Sequence, residues 1–354
     1  MWLKNAVFRE DMEYIAGVDF VPWDKLQDKT LFITGATGLI GFNLVSALAY
    51  MNLKKGLRLK IFALVRDEEQ AKLRFTEVLA EGAPLKFIVG DLEHIPVVEE
   101  NVDIIIHGGS PTASRYFAEH PVETIKMNLA GAETLLEMAR EKQVESFLFL
   151  SSMEVYGSLH REEKVTEDHE SFVNTMNPRS SYPEAKRMIE AMCSSYYAQY
   201  NVPTKVIRLT QTFGAGVRKD DNRVYAQFMR SALAGEDIVL LTKGGTRHSY
   251  LYTADAVTAI LTVLLKGENG EAYNAANEAT YCSIKEMADL VAGLDVIKDK
   301  HNRCVCVKIS EHDESNKLYP PELYMNLDTN KINDLHWKTN FDLNDMFKRM
   351  MGSV

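Results

Sequence analysis

Apolar and polar positions follow two rhythms over the first two thirds of the chain. TLFIT, from Thr30, is a short β-branched run. A glycine turn follows, and then LIGFNLVSALAYMN with apolar residues at helical spacing. LRLKIFALV predicts a second strand and DEEQAKLRFTEVLA a second helix. LKFIV, VDIIIH and SFLFL read as further buried strands, and NLAGAETLLEMAREK between the last two predicts an amphipathic helix. Apolar strands of this length alternating with helices predict an α/β fold on a doubly wound parallel sheet. Residues 1–28, with Trp2, Pro22 and Trp23, read as an N-terminal extension packed on that domain.

After about residue 211 the rhythm loosens. QTFGAGVRKDDNR is loop-like. NRVYAQFMRSALAGE predicts a helix ended by Gly235, and 250–265 an apolar helical stretch starting near Thr253 or Asp255. The last third has shorter elements and a Pro320–Pro321 pair. The expected organisation is a main domain of 29–211 and 250–274. A smaller lobe of 212–249 and 275–354 is interleaved with it. A length of 354 residues agrees with about two domains.

Charge and cysteine usage narrow the partners. Forty basic against fifty acidic residues leave a net charge of -10, without a basic block. That argues against nucleic acid or an anionic membrane as the main partner. No apolar run approaches the ~18 residues of a membrane span, and charges interrupt the N-terminal stretch as no secretory signal would allow. Cys193, Cys282, Cys304 and Cys306 have no zinc-site spacing, since Cys-x-Cys on a strand only points two thiols to one face. The expectation is reduced thiols, a cytoplasmic protein and no metal site.

The glycine turn carries the first specific chemistry. In TLFITGATGLIGFNLV, Gly35, Gly38 and Gly41 follow a strand and open a helix. The first permits a tight turn, the second lets backbone N–H groups approach a pyrophosphate, and the third lets helix and strand pack closely. In this context the turn predicts a dinucleotide-binding Rossmann domain. Gly35, Thr37, Gly38, Leu39, Ile40 and Gly41 are the candidate contacts. The second strand ends ALVRDEE, with Val65 where an acid would hold the ribose hydroxyls of NAD. Arg66 follows at once and leans the choice toward NADP, unless Asp67 reaches the ribose. In GDL, Asp91 either bonds the adenine amino group or caps a helix start, with Leu92 beside it.

Tyr182-Pro-Glu-Ala-Lys186 places a tyrosine and a lysine on one helix face. Ser181 and Glu184 read as a capping box, with Pro183 tolerated in the first turn. A lysine ammonium beside the phenol would lower its pKa toward neutrality. Tyr50/Lys54 and Tyr281/Lys285 share the spacing, but only Tyr182 follows the fifth strand of the sheet. That strand exits as FLFLSSMEVYG, and alternation would put Ser152 and Glu154 on one side. Ser152 could share a hydrogen bond with the phenol, and Glu154 could move a proton at a neighbouring sugar carbon.

Taken in order, TGATGLIG, GDL, MNLAGAETLL, SSMEVYG, YPEAK, RLTQTFGAG and SYLYTADAV resemble the extended short-chain dehydrogenase/reductase family, in particular nucleotide-sugar epimerases and dehydratases. The resemblance runs from about Thr30 to about Leu290. It implies a nicotinamide cofactor, a nucleoside-diphosphate sugar between the lobes, a homodimer, and a first step that removes hydride from sugar C4. Ser152, Tyr182 and Lys186 take the catalytic positions, and Asn128 in MNLAG a cofactor position. Glu154 matches the glutamate of 4,6-dehydratases and UDP-glucuronate decarboxylases. Met153 replaces the proton-donating aspartate of the TDP-glucose type. Gln211 stands where the family has asparagine. His248 stands where an arginine grips the diphosphate, with Arg247 one residue earlier. Arg218 and Arg223 are further phosphate candidates. The leading expectation is a 4,6-dehydratase, then a 4-epimerase, a nucleotide-uronate decarboxylase, and an NADPH-dependent carbonyl reductase.

Overall fold

The computed structural model describes residues 4–112, 114–301, 305–310 and 322–353. Trp2, Cys304 and the Pro320–Pro321 pair lie outside the described residues. Seven strands form the main sheet: β1 (Thr30–Thr34), β2 (Lys60–Val65), β3 (Leu85–Val89), β4 (Ile104–His107), β5 (Ser146–Ser152), β6 (Thr204–Leu209) and β7 (Ala272–Ala275). Their order is β7-β6-β5-β4-β1-β2-β3, and every neighbouring pair is parallel. The order reverses between β1 and β4. In an open parallel sheet that reversal leaves a crevice beyond the strand ends, where ligands bind.

Alternation sorts the strand residues between two faces. Leu31, Ile33, Ile106 and Leu148 share one core with α2 (Leu39–Lys55) and the late helix Thr253–Lys266. Phe32, Ile105, Phe147 and Phe149 share the other with Leu135, Leu136 and Ile189. Those three lie on α3 (Pro121–Lys142) and α4 (Ser181–Tyr200), which pack against each other. The first helix, α1 (Ala6–Gly17), buries Met12 and Ile15 completely and packs on α2 and on Thr253–Lys266. The buried Asp11 carboxylate accepts from Tyr252 Oη at 2.7 Å and from Arg349 Nη2 at 2.7 Å, so α1 also ties down the C-terminal segment.

A second, mixed sheet orders the strands Asn277–Ser283, Arg247–Tyr252, Tyr324–Leu327 and Lys164–Val165, with Gln211–Phe213 paired to Arg247–Tyr252. The helical stretch expected to start near Thr253 or Asp255 starts at Thr253, directly after the strand that Tyr250–Tyr252 end. Local patterns differ from expectation at two places. The helix over 67–80 breaks at Phe75, whose buried ring packs between Phe42 and Phe87. Cys306 precedes the short strand Val307–Ile309 rather than lying within it. Among the described residues no helix is long and apolar enough to cross a membrane.

Candidate active site

The glycine turn closes directly on backbone. Gly35 has φ +74°, and a Cβ there would stand 2.6 Å from the carbonyl of Gly108, after β4. A Cβ on Gly41 would stand 2.1 Å from Gly35 O. Gly38 differs: its Cβ would meet only Gly35 O, at 3.3 Å, and it is the N-cap of α2 without any side-chain cap. The first N–H groups of a seventeen-residue helix therefore start uncapped, with Thr37 exposed and Leu39 and Ile40 half-buried around them. This donor set fits a pyrophosphate.

The remaining cofactor candidates are dispersed around the same strand ends. Arg66 is exposed just after β2. Asp67 caps the next helix, accepting from Gln70 N at 3.0 Å. Asp91 accepts from Glu93 N at 2.9 Å and His94 N at 2.8 Å, but residues 92–94 form a bend and no helix starts there, so it is not a helix cap. Leu92 is buried against Gly109 and Gly131. Asn128, fully buried on α3, donates to Thr124 O at 2.7 Å and accepts from Ser110 Oγ at 2.8 Å. It thereby ties the loop after β4 to α3.

Ser152, Glu154, Tyr182 and Lys186 are brought together at the end of β5. Ser152 Oγ accepts from Glu154 N at 3.2 Å and starts the 3-10 turn Met153–Tyr156. Glu154 is thus off the strand, and the turn, not alternation, sets it beside Ser152. Tyr182 is buried, stacks on Phe117 with 4.8 Å between ring centroids, and shares a hydrogen bond with Ser152. Glu154 Oε2 accepts from Arg179 Nη1 at 3.2 Å. Lys186 Nζ donates to Leu150 O at 2.9 Å and lies 5.6 Å from the Tyr182 ring centroid.

Two local expectations are corrected here. Ser181 and Glu184 form no capping box. The 3-10 turn Pro178–Ser180 runs straight into α4, so Ser181 is already helical and its Oγ donates to Phe117 O at 3.1 Å. The phenol of Tyr182 is also not lowered. Burial pushes its pKa up, the Glu154 charge adds to that, and Ser152 and Arg179 oppose it. Burial also pushes Lys186 down to about 7, and its ammonium is turned to a backbone carbonyl.

The candidates from Gln211 to His248 are not joined into one cationic pocket. Gln211 is half-buried at the start of its strand. Arg218 pairs with Asp220 at 3.0 Å, and Arg223 Nε bonds Asp221 at 3.0 Å. Arg247 pairs with Glu162 at 3.4 Å and Glu286 at 3.1 Å, above the Tyr281 ring. His248 is buried beside the Tyr250 ring, and loss of water pushes its pKa down to about 4. A neutral, buried imidazole does not replace the arginine that grips a diphosphate, so that expectation fails in this arrangement.

With this geometry, residues 31–276 match the model of the NAD dependent epimerase/dehydratase family. The chain belongs to this family. It is 33% identical over 196 residues to UDP-glucuronic acid decarboxylase 1 of Danio rerio, covering 54% of this chain and 45% of that relative. The match thus spans less than half of that relative's length. It is 26% identical over 324 residues to dTDP-D-glucose 4,6-dehydratase of Mus musculus, covering 88% and 84%. Among solved structures, dTDP-glucose 4,6-dehydratase from Bacillus anthracis in complex with NAD superposes with TM-score 0.71 at 20% identity, covering 91% of this chain and 95% of that one. UDP-glucose 4-epimerase from Thermotoga maritima with UDP-glucose gives 0.71 at 18% identity, covering 92% and 98%. At such identities the superpositions speak for the fold alone.

Within this member of the epimerase/dehydratase family, Arg179 is the site residue that motif reading passed over. It stands three residues before Tyr182, lies 4.8 Å above the Phe117 ring, and puts a guanidinium beside both Glu154 and the phenol. Its signal was present in PRSSYPEAK, as a cation one helical turn ahead of the tyrosine.

Proposed function

We propose that this protein is a nucleotide-diphospho-sugar 4,6-dehydratase. The sugar nucleotide lies between the parallel sheet and the lobe of residues 212–249 and 275–354. The chemistry supplied by a bound NAD(P)+ is acceptance of hydride from sugar C4 and its return to C6 once water has left, so that the cofactor ends oxidised as it began. It is held by the uncapped start of α2, and Arg66 favours NADP there, because Asp67 is committed to a helix cap. Tyr182 Oη takes the proton of the C4 hydroxyl through its bond with Ser152, and the positive charge of a bound oxidised nicotinamide would offset the burial that raises the phenol. Glu154 then removes the C5 proton, the C6 hydroxyl leaves as water, and C5 regains a proton that balances the one Tyr182 took from the C4 hydroxyl. Met153 has no proton to give and accepts from Thr210 Oγ1 at 3.3 Å. Protonated Glu154 therefore serves the leaving group.

The observation that carries this reading is the Glu154 carboxylate set beside the Tyr182 phenol and aimed by Arg179. A 4-epimerase needs no second proton-transfer group at that place. A second reading, nucleotide-uronate decarboxylase, is favoured by Arg179, whose charge would balance a sugar carboxylate brought next to Glu154. Incubation with a panel of nucleotide sugars, followed by mass spectrometry, separates them. Loss of one water establishes the dehydratase, and loss of carbon dioxide from a uronate establishes the decarboxylase. An unchanged mass with inverted C4 makes Glu154 a binding residue and refutes both.

The homodimer belongs to the same reading. Val122 and Ile125 on α3 and Met188, Tyr197 and Tyr200 on α4 are exposed apolar residues on the two helices that pack together on one face. Sedimentation at micromolar concentration tests it, and a monomer excludes it.

A further inference from the structure

The catalytic turn is held from behind by a part-buried ionic network that the reaction itself does not use. Ser151 and Ser152 are successive strand residues and face opposite sides of the sheet. Ser151 Oγ donates to Glu190 Oε1 at 2.5 Å. Arg208, on β6, binds the same carboxylate twice, Nη2 to Oε2 at 2.7 Å and Nε to Oε1 at 3.1 Å. Its Nη1 donates to Tyr156 Oη at 2.8 Å and to Glu167 O at 2.7 Å. Tyr156 Oη passes on to Asn274 Oδ1 of β7 at 2.7 Å. Residues 151 and 156 bracket Ser152 and Glu154, so both ends of the catalytic segment are tied to this network.

Helix α4 reaches the same strand end twice. Lys186 binds the Leu150 carbonyl and Glu190, one turn later, binds the Ser151 hydroxyl. Residues four apart share a helix face, so the Glu190 carboxylate also faces Lys186. The other groups around this pair are few. They are His107 on β4, neutral and buried; Tyr182, Arg187 and Cys193 on α4; Arg208 on β6; and Tyr156, Glu167, His169 and Glu170 across a cleft of about 470 Å³. Glu154 and Arg179 lie beyond the phenol.

We propose that Glu190 is a positioning residue of the catalytic centre: its carboxylate fixes the end of β5 that delivers Ser152, and it is the counter-charge of the Lys186 ammonium. The proposal rests on reading Tyr182 and Lys186 as the catalytic pair. Burial pushes Lys186 toward its neutral form, and Glu190 is the charge that opposes this. An ion pair serving only to join α4 to β6 would stiffen the fold without affecting the lysine.

The test follows the Lys186 Nζ signal by nitrogen-15 NMR across pH in the whole protein, with Lys186→Met for assignment. In Glu190→Gln the titration midpoint moves down by about 1 pH unit, the size typical of losing one nearby opposite charge. Glu190→Asp restores most of it. Glu190→Gln alone leaves the Arg208 guanidinium without its counter-charge, on Tyr156 Oη and Glu167 O only, and can unfold the chain. Glu190→Gln/Arg208→Gln, with neither charge left, moves the midpoint in the same direction. A midpoint that stays in place in both folded variants overturns the proposal. The alkaline limb of turnover, on the nucleotide sugar that the panel identifies, moves with the NMR midpoint. A limb that stays while the midpoint moves supports Glu190 and overturns the catalytic role of Lys186.

Discussion

Replacing Gly38 and Gly41 by alanine, one at a time, separates the two jobs of the glycine turn. Gly41 lies in the first turn of α2, where glycine to alanine ordinarily stabilises a helix by about 1 kcal/mol. Here the added methyl would stand 2.1 Å from Gly35 O and 2.8 Å from the Ala36 Cα, both backbone atoms. The turn cannot retreat, because Gly35 is itself pressed on Gly108. Overpacking of this kind costs about 1–3 kcal/mol, and the upper end applies where backbone must move. The net expectation for Gly41→Ala is a loss of about 2 kcal/mol in urea unfolding without cofactor. Gly38 has φ -70° and ψ 174°, which any residue adopts, and a methyl there meets one atom, Gly35 O, at a tight but tolerable 3.3 Å. Gly38→Ala loses about 0.5–1 kcal/mol of helix start. Its methyl, however, stands over the uncapped N–H groups. Calorimetric affinity for NAD+ and NADP+ falls by about tenfold or more, equal to about 1.4 kcal/mol. Wild-type affinity in Gly38→Ala refutes a pyrophosphate at the start of α2. A Gly41→Ala protein more stable than the parent refutes the packing argument.

Three further outcomes are expected. Tyr182→Phe keeps the fold, by circular dichroism, and loses about 100-fold or more in turnover, the scale of a lost proton-transfer group; activity near that of the parent would remove Tyr182 as the base. Arg66→Ala lowers NADP+ affinity by about tenfold while NAD+ affinity changes little, since only the 2′-phosphate meets that side chain; equal losses remove the preference. His248 has a folded pKa of about 4 against an ordinary 6.5, so its contribution is full above 6.5 and is lost as pH falls toward 4. At pH 5 that loss is about 2 kcal/mol. His248→Gln therefore narrows the stability difference between pH 7 and pH 5 by that amount in urea unfolding. Parallel pH profiles for the two proteins would show that the buried imidazole does not titrate as described.

Which parts of this molecule could be read beforehand depends on how local their causes are. Strands β1, β2, β4 and β5 are largely apolar runs, because both faces of a parallel sheet are covered, whereas β3 at the edge carries exposed Lys86 and Val89. Strand β6 escapes that pattern. Its Lys205 and Arg208 are buried or nearly so, and their partners Ser146 and Glu190 come from elsewhere in the chain. Strand β7 is four residues, AYNA, with one large apolar side chain. Strand Arg247–Tyr252 is paired with Tyr324 and Ser283, and no local period announces such partners. The glycine turn and the Tyr182–Lys186 pair are legible because a helix and a tight turn impose their own spacing. The protonation of that pair is not. It follows from Phe117 covering the phenol, from a turn that carries Glu154 off its strand, and from a Leu150 carbonyl that takes the ammonium. Each of these comes from a segment more than 25 residues away from Tyr182 or Lys186. The motif therefore names the reacting groups, whereas their acidity belongs to the packing around them. That is why Glu190, one turn past the motif and engaged from β5 and β6, governs the centre without appearing in its pattern.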